Sequence, residues 1–134
     1  MISISIIIPV FNEEKTIIEI LKKINGIRKN VNLEIIIIND GSTDNSERLI
    51  DQNTEYFDKV IHLKKNAGKG KAIIDGLKIS SMDYVFFQDA DLEYDPTDLI
   101  KFIKIVNNHK ADLIMGSRFI SSKRSVLHFW HVLG

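Results

Sequence analysis

The apolar residues of this chain fall into two alternating patterns. Short continuous runs, Ile4 to Pro9, Leu33 to Ile38, Val60 to Leu63, Tyr84 to Phe87 and Leu113 to Met115, are rich in β-branched or aromatic side chains. Their length and composition predict strands. Between them apolar positions recur with helical period, as Ile17, Ile18, Leu21 and Ile24, then Leu49 with Ile50, then Ala72, Ile73 and Leu77, then Leu99, Ile100, Ile103 and Val106. Those segments are predicted helices, so strand and helix alternate from the first run to the fifth. Ile6-Ile7-Ile8 and Ile35-Ile36-Ile37-Ile38 are apolar without interruption, as strands covered on both faces of a parallel sheet must be. Helix starts agree. Asp95-Pro96-Thr97-Asp98 offers an N-cap acid, a proline at the first helical position and an acid in the first turn, and Asp44-Asn45-Ser46-Glu47 has capping-box spacing. The predicted fold class is α/β, a mostly parallel sheet flanked by helices in three layers.

Composition narrows the function classes. With 134 residues, 44% of them hydrophobic, the chain can form one domain around one core. Eighteen basic and eighteen acidic residues cancel, leaving no broad positive field, which argues against a nucleic-acid partner. There is no cysteine, so disulfides, thiolate catalysis and cysteine zinc sites are excluded and a reducing, cytoplasmic setting is expected. No apolar run approaches the ~20 residues of a membrane span. The start Met1-Ile2-Ser3-Ile4 lacks the basic region of a signal peptide, and a soluble chain is expected.

In a doubly wound sheet, ligands bind outside the carboxyl ends of the strands, so the residues after each run can be compared directly. Polar chemistry collects there: Asn12 and Glu13, then Asn39-Asp40-Gly41-Ser42, then Asn66-Ala67-Gly68-Lys69-Gly70, then Asp89-Ala90-Asp91, then Gly116-Ser117-Arg118. The pair Asp89 and Asp91 is the sharpest signal. Strand geometry carried past Phe87 would point both carboxylates the same way, and about 5 Å apart they repel by roughly 3 kcal/mol at an effective dielectric near 20. A divalent cation removes that cost. Hard oxygen ligands suit magnesium or manganese, and Glu93 is a further candidate ligand. An EF-hand calcium loop is disfavoured, because Tyr94 and Ile100 stand where Gly and Glu are needed.

The other motifs are less specific. Asp-Gly at 40–41 can be a plain strand-to-helix turn, or Asp40 can accept a hydrogen bond from a nucleobase while Gly41 lets the backbone come close. Asn66 to Lys71 resembles a phosphate loop but fits neither common pattern, since Ala72 follows Lys71 where Ser or Thr is required and Ile73 breaks Gly-x-Gly-x-x-Gly. Lys69 or Lys71 beside a diphosphate is compatible with it. Arg118 is a surface ion-pair residue or, in the crevice, a bidentate phosphate clamp. His128 and His131 have i, i+3 spacing without a third ligand, and with Phe129 and Trp130 they read as an apolar helix face packed on something beyond the chain. Lys123, Arg124, Phe129 and Trp130 form a small basic-aromatic cluster suited to peripheral membrane contact. His62 and His109 form no constellation.

Pro9-Val10-Phe11-Asn12-Glu13, Asn39 to Ser42, Asn66 to Gly70, Asp89 to Asp91 and Gly116-Ser117-Arg118-Phe119, in this order and spacing, resemble a family 2 glycosyltransferase. Within that family, Gln88 to Pro96 and Gly116 to Phe119 are most similar to the polyprenyl- or dolichyl-phosphate sugar transferases, the dolichol-phosphate mannose synthase branch. The resemblance implies a GT-A fold, a nucleotide-diphosphate sugar donor carrying GDP or UDP, a magnesium or manganese ion, and a lipid-phosphate acceptor. It implies that Pro9, Phe11, Glu13, Ile38 and Asp40 line the nucleoside pocket, with Lys69 also on the donor. By the same resemblance Asp89, Ala90, Asp91 and Glu93 form the metal–diphosphate site, Arg118 holds phosphate, and Asp91 and Arg118 are the catalytic pair. Asn39 stands where the family often has Asp, and Phe11 where it often has Tyr. Residues 1–120 are expected to be the donor-binding domain and 121–134 the start of the acceptor side, so this chain is expected to bind donor and to turn over poorly alone. The alternatives left open are a non-catalytic nucleotide-sugar binder or partner subunit and, in another class, a phosphoacceptor signalling domain; a homo-oligomer is also left open.

Overall fold

The computed structural model describes residues 2–109, 113–115 and 128–131. Strand β1 (Ser3–Val10) is followed by helix α1 (Ile17–Ile27), β2 (Asn32–Asn39), α2 (Ser46–Asp51), β3 (Lys59–His62), α3 (Lys69–Ile79), β4 (Tyr84–Phe87), α4 (Leu99–His109), β5 (Leu113–Met115) and β6 (His128–His131). Short 3₁₀ turns precede β3 and α4, at Thr54–Tyr56 and Pro96–Asp98. The sheet order is β3-β2-β1-β4-β6-β5. β1 pairs in parallel with β2 and with β4, and β2 in parallel with β3.

Period two sorts the strand residues between two apolar layers. Ile4, Ile6, Ile8 and Val10 of β1 and Leu33, Ile35 and Ile37 of β2 face the residues of α1, α2 and α4, among them Ile17, Leu21, Ile24, Ile50, Leu99, Phe102 and Val106. Ile7, Ile36, Ile38 and Val85 point the other way, to Ala72 of α3. This is the three-layer arrangement expected from the uninterrupted isoleucine runs. α3 lies close to the sheet because Gly76 has no side chain; a Cβ there would stand 2.6 Å from Ile7 Cγ2. On the other face the Phe86 and Phe102 rings, 5.9 Å apart and tilted by 59°, join β4 to α4.

The helix starts differ in their chemistry. Asp95 caps as expected: its carboxylate accepts Thr97 N–H, and that hydrogen bond, with one from the Thr97 hydroxyl, holds its carboxyl below the usual range. The capping box at 44–47 does not form, because α2 begins after Asn45 without a side-chain cap and Asp44 instead bridges two backbone N–H groups, Ser46 at 2.9 Å and Glu14 at 3.2 Å. Tertiary pairing of the loops outcompetes the local motif.

The expectation for His128 to His131 is corrected. They form a strand, antiparallel to both β4 and β5, with Trp130 opposite Val85 and Leu113. The free edge of β4 needs a hydrogen-bonded partner, and two aromatics in four residues favour the extended chain; i, i+3 spacing could not distinguish this from a helix. β5 therefore lies at the sheet edge, separated from β4 by β6. Lys123 and Arg124, from the candidate membrane cluster, lie outside the described residues.

At the amino ends of the strands a buried carboxylate ties four segments together. Glu34, 5% exposed in the middle of the sheet, accepts Ser5 Oγ–H at 2.5 Å, Ser81 N–H at 2.9 Å and Ser81 Oγ–H at 2.8 Å, and pairs with Lys59 Nζ at 2.6 Å. Burial pushes its carboxyl up, but hydrogen bonds from Lys59, Ser5 and Ser81 overcome this and hold it at about 2, against 4.5 when unperturbed. A carboxyl depressed in the folded state stabilises fully above its unfolded value and ceases to do so as pH falls through the folded one. Urea unfolding should therefore show stability falling by up to about 3 kcal/mol between pH 5 and pH 2 from this group. Glu34→Gln should cost about 1–3 kcal/mol at pH 7 and flatten that part of the profile.

Candidate functional site

Because β3, β2, β1 and β4 run parallel, the segments leaving their carboxyl ends emerge on one side of the sheet. Strand order reverses at β1, with β2 on one edge and β4 on the other, and this switch point is where an open α/β sheet leaves a crevice. One is found there, about 460 Å³, lined by Pro9, Phe11, Glu13, Asp40, Asn66, Lys69, Asp89, Ala90, Asp91 and Glu93. Nine of these ten are candidates from the sequence; Asn66 enters there only within the 66–70 loop. Ile38 is not among them. It is fully buried against α3 with Ile36 and Ala72, since alternation along β2 turns it into the core. Arg118 lies outside the described residues.

Side chains lace the loops together. Asn12 adopts φ +53°, and its Oδ1 accepts Thr43 N–H at 2.8 Å and Asp44 N–H at 3.2 Å, while its own N–H donates to Ser42 Oγ at 3.0 Å. Ser46 Oγ accepts Glu13 N–H at 2.9 Å. Thr16, just before α1, donates its hydroxyl to Ala90 O at 2.5 Å, linking the β1 side of the crevice to the β4 side. Phe11, 45% exposed, presents its ring at the mouth, a surface on which a planar base can stack.

Asp40 has an additional structural task. Nearly buried, it accepts Ala67 N–H at 2.8 Å on one oxygen and Gly68 N–H at 3.0 Å on the other. One lone pair on each oxygen is committed to the 66–68 loop, and each retains further acceptor capacity toward the crevice. Gly41 beside it has φ +70°, and a Cβ would stand 2.4 Å from Asn66 N. The close approach that Gly41 permits is therefore to the chain's own loop.

The acid loop after β4 is shaped from below by Gln88, 1% exposed, whose Nε2 donates to Asp89 O at 3.1 Å and Tyr94 O at 3.2 Å. Asp91 Oδ1 accepts Glu93 N–H at 3.0 Å, across Leu92 at φ +63°. This tight turn sets Asp89, Asp91 and Glu93 on one crevice wall, while Leu92 packs against the core. Lys69, the first residue of α3, places its ammonium against Asp89 Oδ1. Carboxylates of Asp89, Asp91 and Glu93 line one wall, hard oxygen donors of the kind a divalent ion takes one or two at a time beside phosphate and water.

A second cluster emerged only in three dimensions. Glu47 and Asp51 of α2 and His62 of β3 bring ligand atoms within 4.8 Å of one another. Asn39 explains why this is a hydrogen-bond chain. Its Oδ1 accepts Ser42 N–H at 3.3 Å, so its Nδ2 faces His62 Nδ1 at 3.0 Å, and the proton of the neutral ring resides on Nε2, 2.8 Å from Asp51 Oδ1. His62 thus does have a constellation, contrary to the expectation from sequence, where its partners are spread over 23 positions without period. Lys71 pairs within α3 with Asp75 at 2.5 Å.

A mostly parallel α/β sheet with an acid-lined crevice at its switch point defines a ligand-binding, doubly wound class of fold. The particular family follows from comparison: the chain belongs to glycosyl transferase family 2, whose model matches residues 5–132. It is 33% identical over 118 residues to a dolichol-phosphate mannosyltransferase from Pyrococcus furiosus, covering 87% of this chain and 33% of that protein. It is 36% identical over 128 residues to poly-beta-1,6-N-acetyl-D-glucosamine synthase from Staphylococcus aureus, covering 92% of this chain and 30% of that one. Its fold superimposes with a TM-score of 0.70 on glucosyl-3-phosphoglycerate synthase from Mycobacterium tuberculosis in complex with Mn2+, uridine diphosphate and glucosyl-3-phosphoglycerate, at 24% identity over 84% of this chain and 43% of that one. The chain spans a third or less of these two sequence relatives. Family membership sets aside the phosphoacceptor signalling domain. Among the described residues no helix is long and apolar enough to cross a membrane.

Asp40→Asn replaces one acceptor oxygen by an NH2 that faces a backbone N–H. It should cost about 1–3 kcal/mol in unfolding free energy. In hydrogen exchange, the Ala67 and Gly68 amides should lose protection while those of β1 keep theirs.

Proposed function

We propose that this domain binds a nucleotide-diphosphate sugar in the crevice and serves sugar transfer to a polyprenyl or dolichyl phosphate. The observation that carries the reading is the meeting of the exposed Phe11 ring, Asp40 and three carboxylates in one crevice at the β1/β4 switch point. Pro9, Phe11, Glu13 and Asp40 form the nucleoside end, with Phe11 stacking on the base and the remaining acceptor capacity of Asp40 turned to a ring N–H. Asp89, Asp91 and Glu93 hold a magnesium or manganese ion, and Lys69 stands beside them on the diphosphate side. When bound, that ion offsets the charge that builds on the leaving diphosphate.

Transfer in this reading is a single displacement. An oxygen of the acceptor phosphate forms a bond to the anomeric carbon from the face opposite the diphosphate, the bond from that carbon to the diphosphate oxygen breaks, and the nucleoside diphosphate leaves with the electron pair. The acceptor is already an anion at neutral pH, so no side chain has to remove a proton. This accounts for a crevice furnished with metal-ligating acids and a cation. Asp91 acts as a metal ligand and Arg118 as a clamp on the leaving phosphates. The branch is supported by the 33% identity to the dolichol-phosphate mannosyltransferase of Pyrococcus furiosus.

A thermal-shift panel of UDP- and GDP-sugars with and without manganese tests the reading. The matching donor at about 100 times its dissociation constant should add roughly 2.7 kcal/mol, only when metal is present. Asp91→Asn should remove most of that gain without lowering the unliganded midpoint. If no donor produces a metal-dependent shift, the proposal is wrong; with donor bound, the chain alone should incorporate little sugar into added polyprenyl phosphate, and robust transfer would overturn that expectation.

A further inference from the structure

We propose that Lys69 is an exchangeable cation: it occupies Asp89 when the crevice is empty and leaves it for the donor's diphosphate when a divalent ion takes the carboxylate, so that metal and nucleotide binding are coupled through one side chain. This rests on the crevice being the metal–diphosphate site proposed above and goes on to say how its two ligands communicate.

Three observations carry it. Lys69 Nζ is paired with Oδ1 of Asp89, one of the three carboxylates assigned above to the divalent ion, and Lys69 is the one cationic residue lining the crevice among the described residues. The two cations compete for this oxygen, because an ammonium and a divalent ion on one carboxylate repel each other. Secondly, Lys69 occupies the first position of α3, where the N-terminal end of the helix dipole disfavours a positive charge. An anion beside it, either Asp89 or a phosphate, offsets that unfavourable contribution. Finally, the lysine is free to move: its side chain is 58% exposed, against 28% for Asp89, and it lies between Gly68 and Gly70. Lys71 has no such role, since Asp75 holds it one helical turn away from the crevice wall.

The consequence is a linkage. Without nucleotide, a divalent ion must displace Lys69 from Asp89 and leave it unpaired. With a diphosphate present, the displaced ammonium gains phosphate oxygens, and the metal enters at lower cost. By reciprocity, metal raises nucleotide affinity by the same factor.

Mn2+ binding to the 134-residue chain, followed by calorimetry and by the free-ion paramagnetic resonance signal, tests this without any turnover. Lys69→Met should tighten Mn2+ binding in the absence of nucleotide by about three- to fivefold, the size of an exposed ion pair, with the gain shrinking at high salt. The factor by which saturating UDP or GDP improves Mn2+ affinity should fall by a similar amount, because the metal can still bridge to the diphosphate but Lys69 no longer can. Lys69→Gln should behave alike, and Lys71→Met, which makes the same change in net charge, should leave Mn2+ affinity as it is. Unchanged or weaker Mn2+ binding by both Lys69 variants overturns the exchange while leaving the metal–diphosphate reading intact, provided the wild-type chain binds Mn2+ with UDP or GDP. If the wild-type chain binds no Mn2+ with either nucleotide, both fall together.

Discussion

β1 is hydrogen-bonded in parallel on both edges, to β2 along its whole length and to β4 from Ile4 to Ile7. Such pairing requires crossovers, and the crossovers place helices over both faces, which is why the strands are apolar without alternation. It also fixes where chemistry can occur. With β2 and β4 on opposite edges, the chains leaving β1 and β4 diverge above the sheet, and the space between them is the crevice. Pro9 to Glu13 form one wall and Asp89 to Glu93 another because Ile7 is paired with Phe87; a slip of one residue would exchange core and crevice side chains throughout.

The two ends of the sheet use polar groups differently. At the amino ends Glu34 is surrounded by Ser5, Ser81 and Lys59, a closed set of partners holding strands and loop in register. At the carboxyl ends the loops are held by backbone N–H groups bound to side-chain oxygens, Asn12 on Thr43 and Asp44, and Asp40 on Ala67 and Gly68. Rigid support of this kind positions Phe11 and Asp40 before any ligand arrives. Asp91 and the cation Lys69 are exposed and Asp89 is half-buried, which leaves these charged groups accessible for an exchange of partners.

Much of the crevice lining was legible from the chain because its residues follow directly on strand ends. Asp40, Asp89, Asp91 and Glu93 each come within six residues of a strand's last residue in β2 or β4, and parallel strands deliver such positions to one side of the sheet. Ile38 was misplaced for a related reason. It is one residue short of the strand end, where period two still governs, and its side chain goes to the α3 layer. Asn39, His62 and Asp51 were illegible as a group because only the pairing of Asn39 with His62 in the β2–β3 register brings them together. The capping box at Asp44 gave a false signal, since local motifs report the competition within one loop and Glu14 N–H arrives from another.

The sequence by itself determined the order of elements from β1 to β5, their burial on both faces and the side of the sheet on which polar residues gather, because hydrophobic period and chain direction are local properties. Tertiary structure alone decided which groups meet. It inserted β6 between β4 and β5, gave Asp40 to the 66–68 loop, and set Lys69 on Asp89 across 20 residues of chain. Each of these is a pairing of edges or charges remote in sequence, and no periodicity encodes it; it follows from which hydrogen-bonding groups are left without a partner once the core has closed.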